Sequence, residues 1–261
     1  MKTRIISAMI MIAIALPIIY LGSGIYKLTI GILTLLAFKE VLALKKAHQE
    51  IPTIPTILAL GLCLIIVYFD FNYPRYSFSA LLIIMCLLML IPTLFYKNEE
   101  YKTSDAFYLI GWIIFLGMAF NSFIVIRNNG MRLFFYLVFI PIITDTFAML
   151  VGSKFGKHKM CPKISPKKTM EGFGGGMLMG TIIPCIVYYA FFKTISFKII
   201  LMTIILSTIG QIGDLIFSKI KRENEIKDYS DLIPGHGGIL DRLDSTSIIF
   251  MTYILIQAIL F

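Results

Sequence analysis

The sequence predicts an all-α, polytopic integral membrane protein with about nine transmembrane helices and a cytoplasmic N-terminus. Three observations carry this. Of 261 residues, 58% are hydrophobic and only 15% charged, with a mean hydropathy of +0.85, far from the soluble average. Apolar runs near the ~20 residues that a spanning helix needs recur along the chain, separated by charges and turn residues. The 24 Lys and Arg residues fall three to one on the side that holds the N-terminus, as short cytoplasmic loops require.

The first run, Ile5 to Leu21, follows Lys2 and Arg4 and so has the outline of a signal peptide. No small-x-small site closes it, and Pro17-Ile18-Ile19-Tyr20 extends it toward spanning length, so a first spanning helix is expected. Runs at Leu28 to Leu44, Ile54 to Phe69 and Ser79 to Tyr96 are rich in Leu, Ile and Met and nearly free of polar groups. They are expected to be scaffold, with Pro17, Pro55 and Pro92 kinking or starting helices. The connector Lys97 to Asp105, KNEEYKTSD, balances its signs and reads as a solvated turn. Cys63, Cys86, Cys161 and Cys185 are scattered, with no CxxC or Cys/His cluster, and read as small apolar filler.

A net charge of +9 would suggest nucleic-acid binding in a soluble chain. Here the excess follows topology, so no nucleic-acid partner is expected. Anionic membrane lipid is the natural counterpart, at about 1 kcal/mol per basic residue near the surface.

Polar chemistry begins in the second half. The run Phe107 to Ile126 holds Trp112 and Asn121, and Leu133 to Val151 holds Asp145. A carboxylate within a membrane is costly unless paired, hydrated or protonated, so Asp145 is a functional candidate beside a packing alternative. The segment Gly152 to Gly176 then supplies six lysines, a histidine and a glycine cluster ahead of the run Gly172 to Phe192. Glycines and a helix start let backbone N–H groups approach a polyanion; a topology-setting loop with helix-packing glycines explains the segment equally well. No GxxxxGK[ST] pattern occurs.

The run Ile199 to Phe217 turns polar at its end, where Asp214, Ser218 and Lys221 share a helical face by spacing. Acid, hydroxyl and ammonium in line suit a divalent cation beside phosphate oxygens, or form a simple surface pair. After the Pro234 to Gly238 turn come Asp241, Arg242, Asp244 and Ser245, ahead of the last run, Ser247 to Phe261. Asp241 and Asp244 are read either as helix-start acids, with Asp244 or Ser245 capping, or as a second pair of metal ligands. Asp145 and Asp214 lie toward the side that holds both basic loops.

The charged stretch runs Ser218-Lys219-Ile220-Lys221-Arg222, then Lys227-Asp228-Tyr229-Ser230, then Leu232 through Asp244 with Pro234-Gly235-His236-Gly237-Gly238 at its centre. This 27-residue pattern resembles the signature of the phosphatidate cytidylyltransferase (CDP-diacylglycerol synthase) family. The resemblance extends upstream through Asp145, Gly152, Gly156, Ser165 to Thr169 and Glu171-Gly172; Met149 stands where the family pattern has tyrosine.

The resemblance implies Mg2+-dependent attack of phosphatidic acid on the α phosphorus of CTP, giving CDP-diacylglycerol and pyrophosphate, with a second cation as an option. It implies that Asp214 and Asp241, with Asp244 as a third candidate, hold metal, and that Ser218 bonds a phosphate or the metal shell. Lys221 and Arg222, helped by Lys167 and Lys168, would neutralise phosphates; His236, Gly237, Gly238, Arg242 and Asp145 complete the substrate side. On this basis residues 1–105 are scaffold, and residues 106–261 are catalytic with cytoplasmic loops at 152–171 and 218–246. The expected location is the cell membrane with the site facing the cytoplasm, and a homodimer is implied by the resemblance alone. The alternatives are a CTP-dependent enzyme for another lipid acceptor, such as a polyprenol kinase or an archaeal-lipid cytidylyltransferase, and, from another class, an ion or solute transporter with polar groups in broken helices.

Overall fold

A computed structural model describes residues 2–46, 50–70, 78–96 and 100–260. Arg75 and Lys97, which enter the charge asymmetry, and Phe261 lie outside them. Among the described residues there are nine α-helices: α1 (Lys2–Leu21), α2 (Ser23–Lys46), α3 (Thr53–Val67), α4 (Phe78–Leu90), α5 (Thr103–Asn128), α6 (Met131–Phe155), α7 (Met170–Phe192), α8 (Phe197–Glu223) and α9 (Leu240–Leu260). Four of them, α5 to α8, are long and apolar enough to cross a membrane. Large apolar side chains on α7 point outward, with Leu178 58% and Ile186 62% exposed, as a lipid-facing surface requires.

The protein is a membrane protein, and two local features differ from the sequence reading. The run Ser79 to Tyr96 is not one helix, because α4 gives way at Pro92 to a 3₁₀ turn (Ile91–Leu94), where proline lacks the N–H that would continue the ladder. The Gly152 to Gly176 segment is not all loop. It contains a two-stranded antiparallel hairpin, β1 (Lys159–Cys161) with β2 (Ser165–Thr169).

The chain divides into two compact units, Ser23–Ile124, and Met1–Gly22 together with Val125–Phe261. In the first, Asn121 donates from Nδ2 to the carbonyls of Val67 and Phe69, each at 2.9 Å. Those carbonyls lie at and beyond the end of α3, where helical partners run out. Asp105, expected in a solvated turn, is instead 1% exposed, bound to Lys45 Nζ at 2.8 Å and accepting from the Lys102 N–H at 2.9 Å.

In the second unit, α6 and α7 pack along a stripe of small residues. A Cβ on Gly172 would meet the Ala148 carbonyl at 2.6 Å, and one on Gly176 the Thr144 carbonyl at 2.8 Å. Glycine spacing of four therefore lets the two backbones approach closely. Arg132 on α6 donates to the Phe191 carbonyl at the far end of α7, at 3.1 Å. Between α6 and α8 the buried Tyr136 and Thr203 hydroxyls share a hydrogen bond of 2.6 Å. Arg127 ties the end of α1 in place through the carbonyls of Ile19, at 2.7 Å, and Tyr20, at 3.2 Å. These contacts leave the hairpin and the α8–α9 connection at the same end of the unit, where the Arg222 guanidinium touches the Ile164 carbonyl.

Candidate active site

Where α8 leaves the bundle its side chains turn from apolar to charged. Asp214 accepts from Lys168 Nζ at 2.7 Å and, more loosely, from the Ser218 hydroxyl at 3.4 Å. Lys168 reaches it because β2 runs directly into α7. Thr169 ends the strand and caps the helix, accepting from the Gly172 N–H at 3.1 Å, as an N-cap threonine does. Two residues on, Glu171 accepts from the N–H groups of Lys157 and His158 and pairs with His158 Nδ1 at 2.6 Å. That carboxylate holds the hairpin onto the helix start, and so holds Lys168 over Asp214.

The second part of the site is built by the α8–α9 connection. Ile233 and Gly237 exchange backbone hydrogen bonds around a tight turn in which Gly235 and Gly237 have φ of 75° and 84°. A Cβ at Gly237 would also meet Asp241 Oδ2 at 2.8 Å, so both backbone and space demand glycine there. Asp241, in the first turn of α9, directs Oδ2 back into this connection, accepting from the N–H groups of Tyr229 at 2.7 Å and Gly238 at 2.9 Å. Its Oδ1 accepts from Lys221 Nζ at 2.7 Å. The Lys221 ammonium lies over the Tyr229 ring, 5.4 Å from its centroid.

Asp244 lies one turn further, ahead of the apolar run from Ser247. Burial, with the like charge of Asp214 second, pushes its carboxyl up to about 7. Asp145 contributes to the same field from α6. Three carboxylates from three helices thus influence one another, faced by Lys168 and Lys221. A cavity of ≈ 300 Å³ opens beside them; Asp145, Asp214, Lys167 and Lys168 supply its polar wall and Met149, Phe173 and Leu215 part of its apolar wall. A second cavity of ≈ 350 Å³ is polar and takes in Lys227, Asp228, His236, Gly237 and Arg242.

Among the described residues no three His, Cys, Asp or Glu side chains form a ready-made metal cage. The arrangement nevertheless fits Mg2+, which binds through one or two carboxylates and completes its shell with phosphates and water. Asp214 and Asp244 have the chemistry for it. Asp241 Oδ2 is filled by two N–H groups, whereas Oδ1, with Lys221 as donor, keeps a lone pair for an ion.

Of the sequence candidates, Asp145, Asp214, Ser218, Lys167 and Lys168 come together around the first cavity and its rim, and His236, Gly237 and Arg242 around the second. Gly238 donates to Asp241 rather than lining either cavity. Arg222 does not reach the carboxylates. Its guanidinium is engaged by the carbonyls of Ile164 and Ile226, bracing the hairpin against α8. Met149 lines the first cavity in the position where tyrosine was expected, and is 67% exposed.

Residues the sequence reading did not single out include Tyr229, which bridges Asp241 and Lys221, and Thr169, the cap. Ser7 is the third, contacting the Pro234 to Gly238 turn from α1. Tyr229 sits inside a conspicuous charged pattern and was open to notice; Ser7 carries no local signal.

A family model described as "Cytidylyltransferase family" matches residues 2–260. A protein of Staphylococcus haemolyticus named phosphatidate cytidylyltransferase is 35% identical over 249 residues, 94% of each chain. Proteins of the same name from Staphylococcus aureus and Staphylococcus epidermidis are 35% and 36% identical over 248 residues, again 94% of each chain.

Proposed function

Because the chain belongs to the cytidylyltransferase family, we propose that it transfers the cytidylyl group of CTP to phosphatidic acid, forming CDP-diacylglycerol and pyrophosphate for phospholipid synthesis. The observation that carries this reading is the meeting of Asp145, Asp214 and Asp244 with Lys168 and Lys221 where α8 emerges from an apolar bundle. A lipid phosphate and a soluble triphosphate can meet there while acyl chains remain among apolar helices.

In the reaction a phosphate oxygen of phosphatidic acid forms a bond to the α phosphorus of CTP. The bond from that phosphorus to the bridging oxygen breaks, and pyrophosphate leaves with the electron pair. The nucleophile is already an anion near neutral pH, so no general base is required. The protein's task is to gather negative charge and hold an in-line geometry. Lys167 and Lys168 neutralise phosphate from the hairpin, and Lys221 does so from α8. Ser218 steadies Asp214 or a phosphate oxygen. Asp214, Asp244 and Oδ1 of Asp241 would hold Mg2+, which when bound neutralises the triphosphate and polarises its phosphoryl oxygens. Gly237 keeps the backbone slender beside the second cavity, where His236 and Arg242 face the substrate.

This reading includes nine spans with the N-terminus inside, a site facing the cytoplasm and residence in the cell membrane, on the strength of the three-to-one Lys/Arg asymmetry. It also includes a catalytic role for residues 106–261 on a scaffold of residues 1–105, and assembly as a homodimer. The test is product release by purified protein in detergent, read as pyrophosphate for cytidylyl transfer and as CDP for phosphoryl transfer, given CTP and Mg2+ with phosphatidic acid, a polyprenol or an archaeal ether lipid in parallel. Pyrophosphate release is expected with phosphatidic acid. No release under any divalent metal, or faster release with another acceptor, refutes the proposal.

A further inference from the structure

Ser7 lies near the start of α1, more than two hundred residues from the turn it touches. Its Oγ donates to the Pro234 carbonyl at 3.0 Å and stands 2.8 Å from His236 Nδ1. A hydroxyl has one proton, and a carbonyl only accepts. If that proton goes to the Pro234 carbonyl, as the 3.0 Å contact allows, the Ser7 oxygen accepts from His236 and Nδ1 carries the hydrogen. The neutral ring then presents Nε2 as a lone pair, because the partner of one ring nitrogen sets the state of the other.

The same two contacts brace the turn on both sides of Gly235, a residue with φ of 75°. They do so beside the polar cavity that His236 lines with Lys227 and Arg242. Asp241 holds the α9 side of that cavity through the Gly238 N–H, and Ser7 adds hydrogen bonds to the turn from α1.

We infer that Ser7 is a positioning residue for the cytidylyl-transfer site: through its hydroxyl, α1 holds the Pro234 to Gly238 turn and fixes His236 as the Nδ1–H tautomer. In the neutral ring Nε2 is then an acceptor suited to a hydroxyl or amino group of the nucleoside, and not a donor to phosphate. The kinetic part rests on the proposed activity; the tautomer does not.

The chain has three histidines, so 15N-histidine NMR in detergent resolves His236, assigned with His236→Asn. Spectra are taken at about pH 8, above the ~6.5 of an ordinary imidazole. The wild type is expected to show the Nδ1–H form. Ser7→Ala should move the ring toward Nε2–H and lower kcat/KM for CTP about five- to tenfold, the range for losing one hydrogen bond. Ser7→Thr, which keeps the hydroxyl, should restore both. A wild-type ring in the Nε2–H form, an unchanged ring in Ser7→Ala, or a changed ring without kinetic loss overturns the inference. Wild-type protein that releases no pyrophosphate refutes the activity instead, and the NMR arm still decides the contact.

Discussion

Replacing Asp241 by alanine should unfasten the α8–α9 connection, whereas replacing it by asparagine should not. The side chain is 2% exposed and serves three donors, the N–H groups of Tyr229 and Gly238 on Oδ2 and Lys221 on Oδ1. Alanine removes both acceptor oxygens and with them all three bonds. Hydrogen bonds to a charged group contribute about 1.5–3 kcal/mol each, so the two backbone donors alone are worth about 3 kcal/mol or more against local opening. At about 1.4 kcal/mol per factor of ten, amide protection at Tyr229 and Gly238 should fall by about two orders of magnitude. Asparagine keeps a carbonyl for both N–H groups and turns its amide toward Lys221, setting donor against donor. Protection should then stay within about tenfold of wild type while pyrophosphate release is lost, because the ion pair and the oxygen proposed to hold the cation are gone. Hydrogen exchange resolved to single amides, run beside the pyrophosphate assay, reads both quantities. Unchanged exchange at Tyr229 and Gly238 in Asp241→Ala would refute the assignment of Oδ2 as the clasp of this connection.

Other substitutions separate chemistry from packing. Asp214→Asn should abolish turnover with little change in detergent Tm, since the side chain is 29% exposed and its partner Lys168 27%, and such pairs contribute only about 0–1 kcal/mol. Lys168→Met should raise the KM for CTP by about tenfold or more, as loss of one charged phosphate contact would; an unaltered KM removes Lys168 from the phosphate site. Gly176→Leu should lower Tm sharply, because even a Cβ would meet the Thr144 carbonyl at 2.8 Å; a stable variant would show that α6 and α7 separate easily. Asp244 sets a pH dependence. Its carboxyl titrates near 7 when folded, against ~3.9 when unfolded, so between these values the folded state binds more protons and metal-free stability falls as pH rises. Under the proposed assignment activity should run the other way, falling as pH drops below about 7, because the carboxylate form would be the cation ligand. Asp244→Asn should flatten the stability profile, and a profile equally steep in that variant refutes the assignment.

The helices were legible because membrane spanning imposes length and apolarity on a local stretch, and the body of every apolar run lies in one helix, those to Phe69 and Tyr96 running two residues past the last helical turn. The carboxylates were legible for the converse reason, since an acid at the edge of an apolar run is costly without a partner. Which partner each acid takes was not legible. Asp214 pairs with Lys168 only because three- and five-residue strands, too short to show a period of two, fold Ser165 to Thr169 back onto α8. Spacing alone set Asp241 and Asp244 on one face, yet a side chain in the first turn of a helix can also turn back toward the preceding chain. The N–H groups of Tyr229 and Gly238 donate to Asp241 from that side and leave Asp244 to the other acids. The two aspartates therefore divide the work, one holding the backbone that shapes the site and the other completing its negative field. A sequence pattern that spells both as ligands does not distinguish them, because the difference lies in hydrogen-bond donors supplied by a connection with no regular secondary structure.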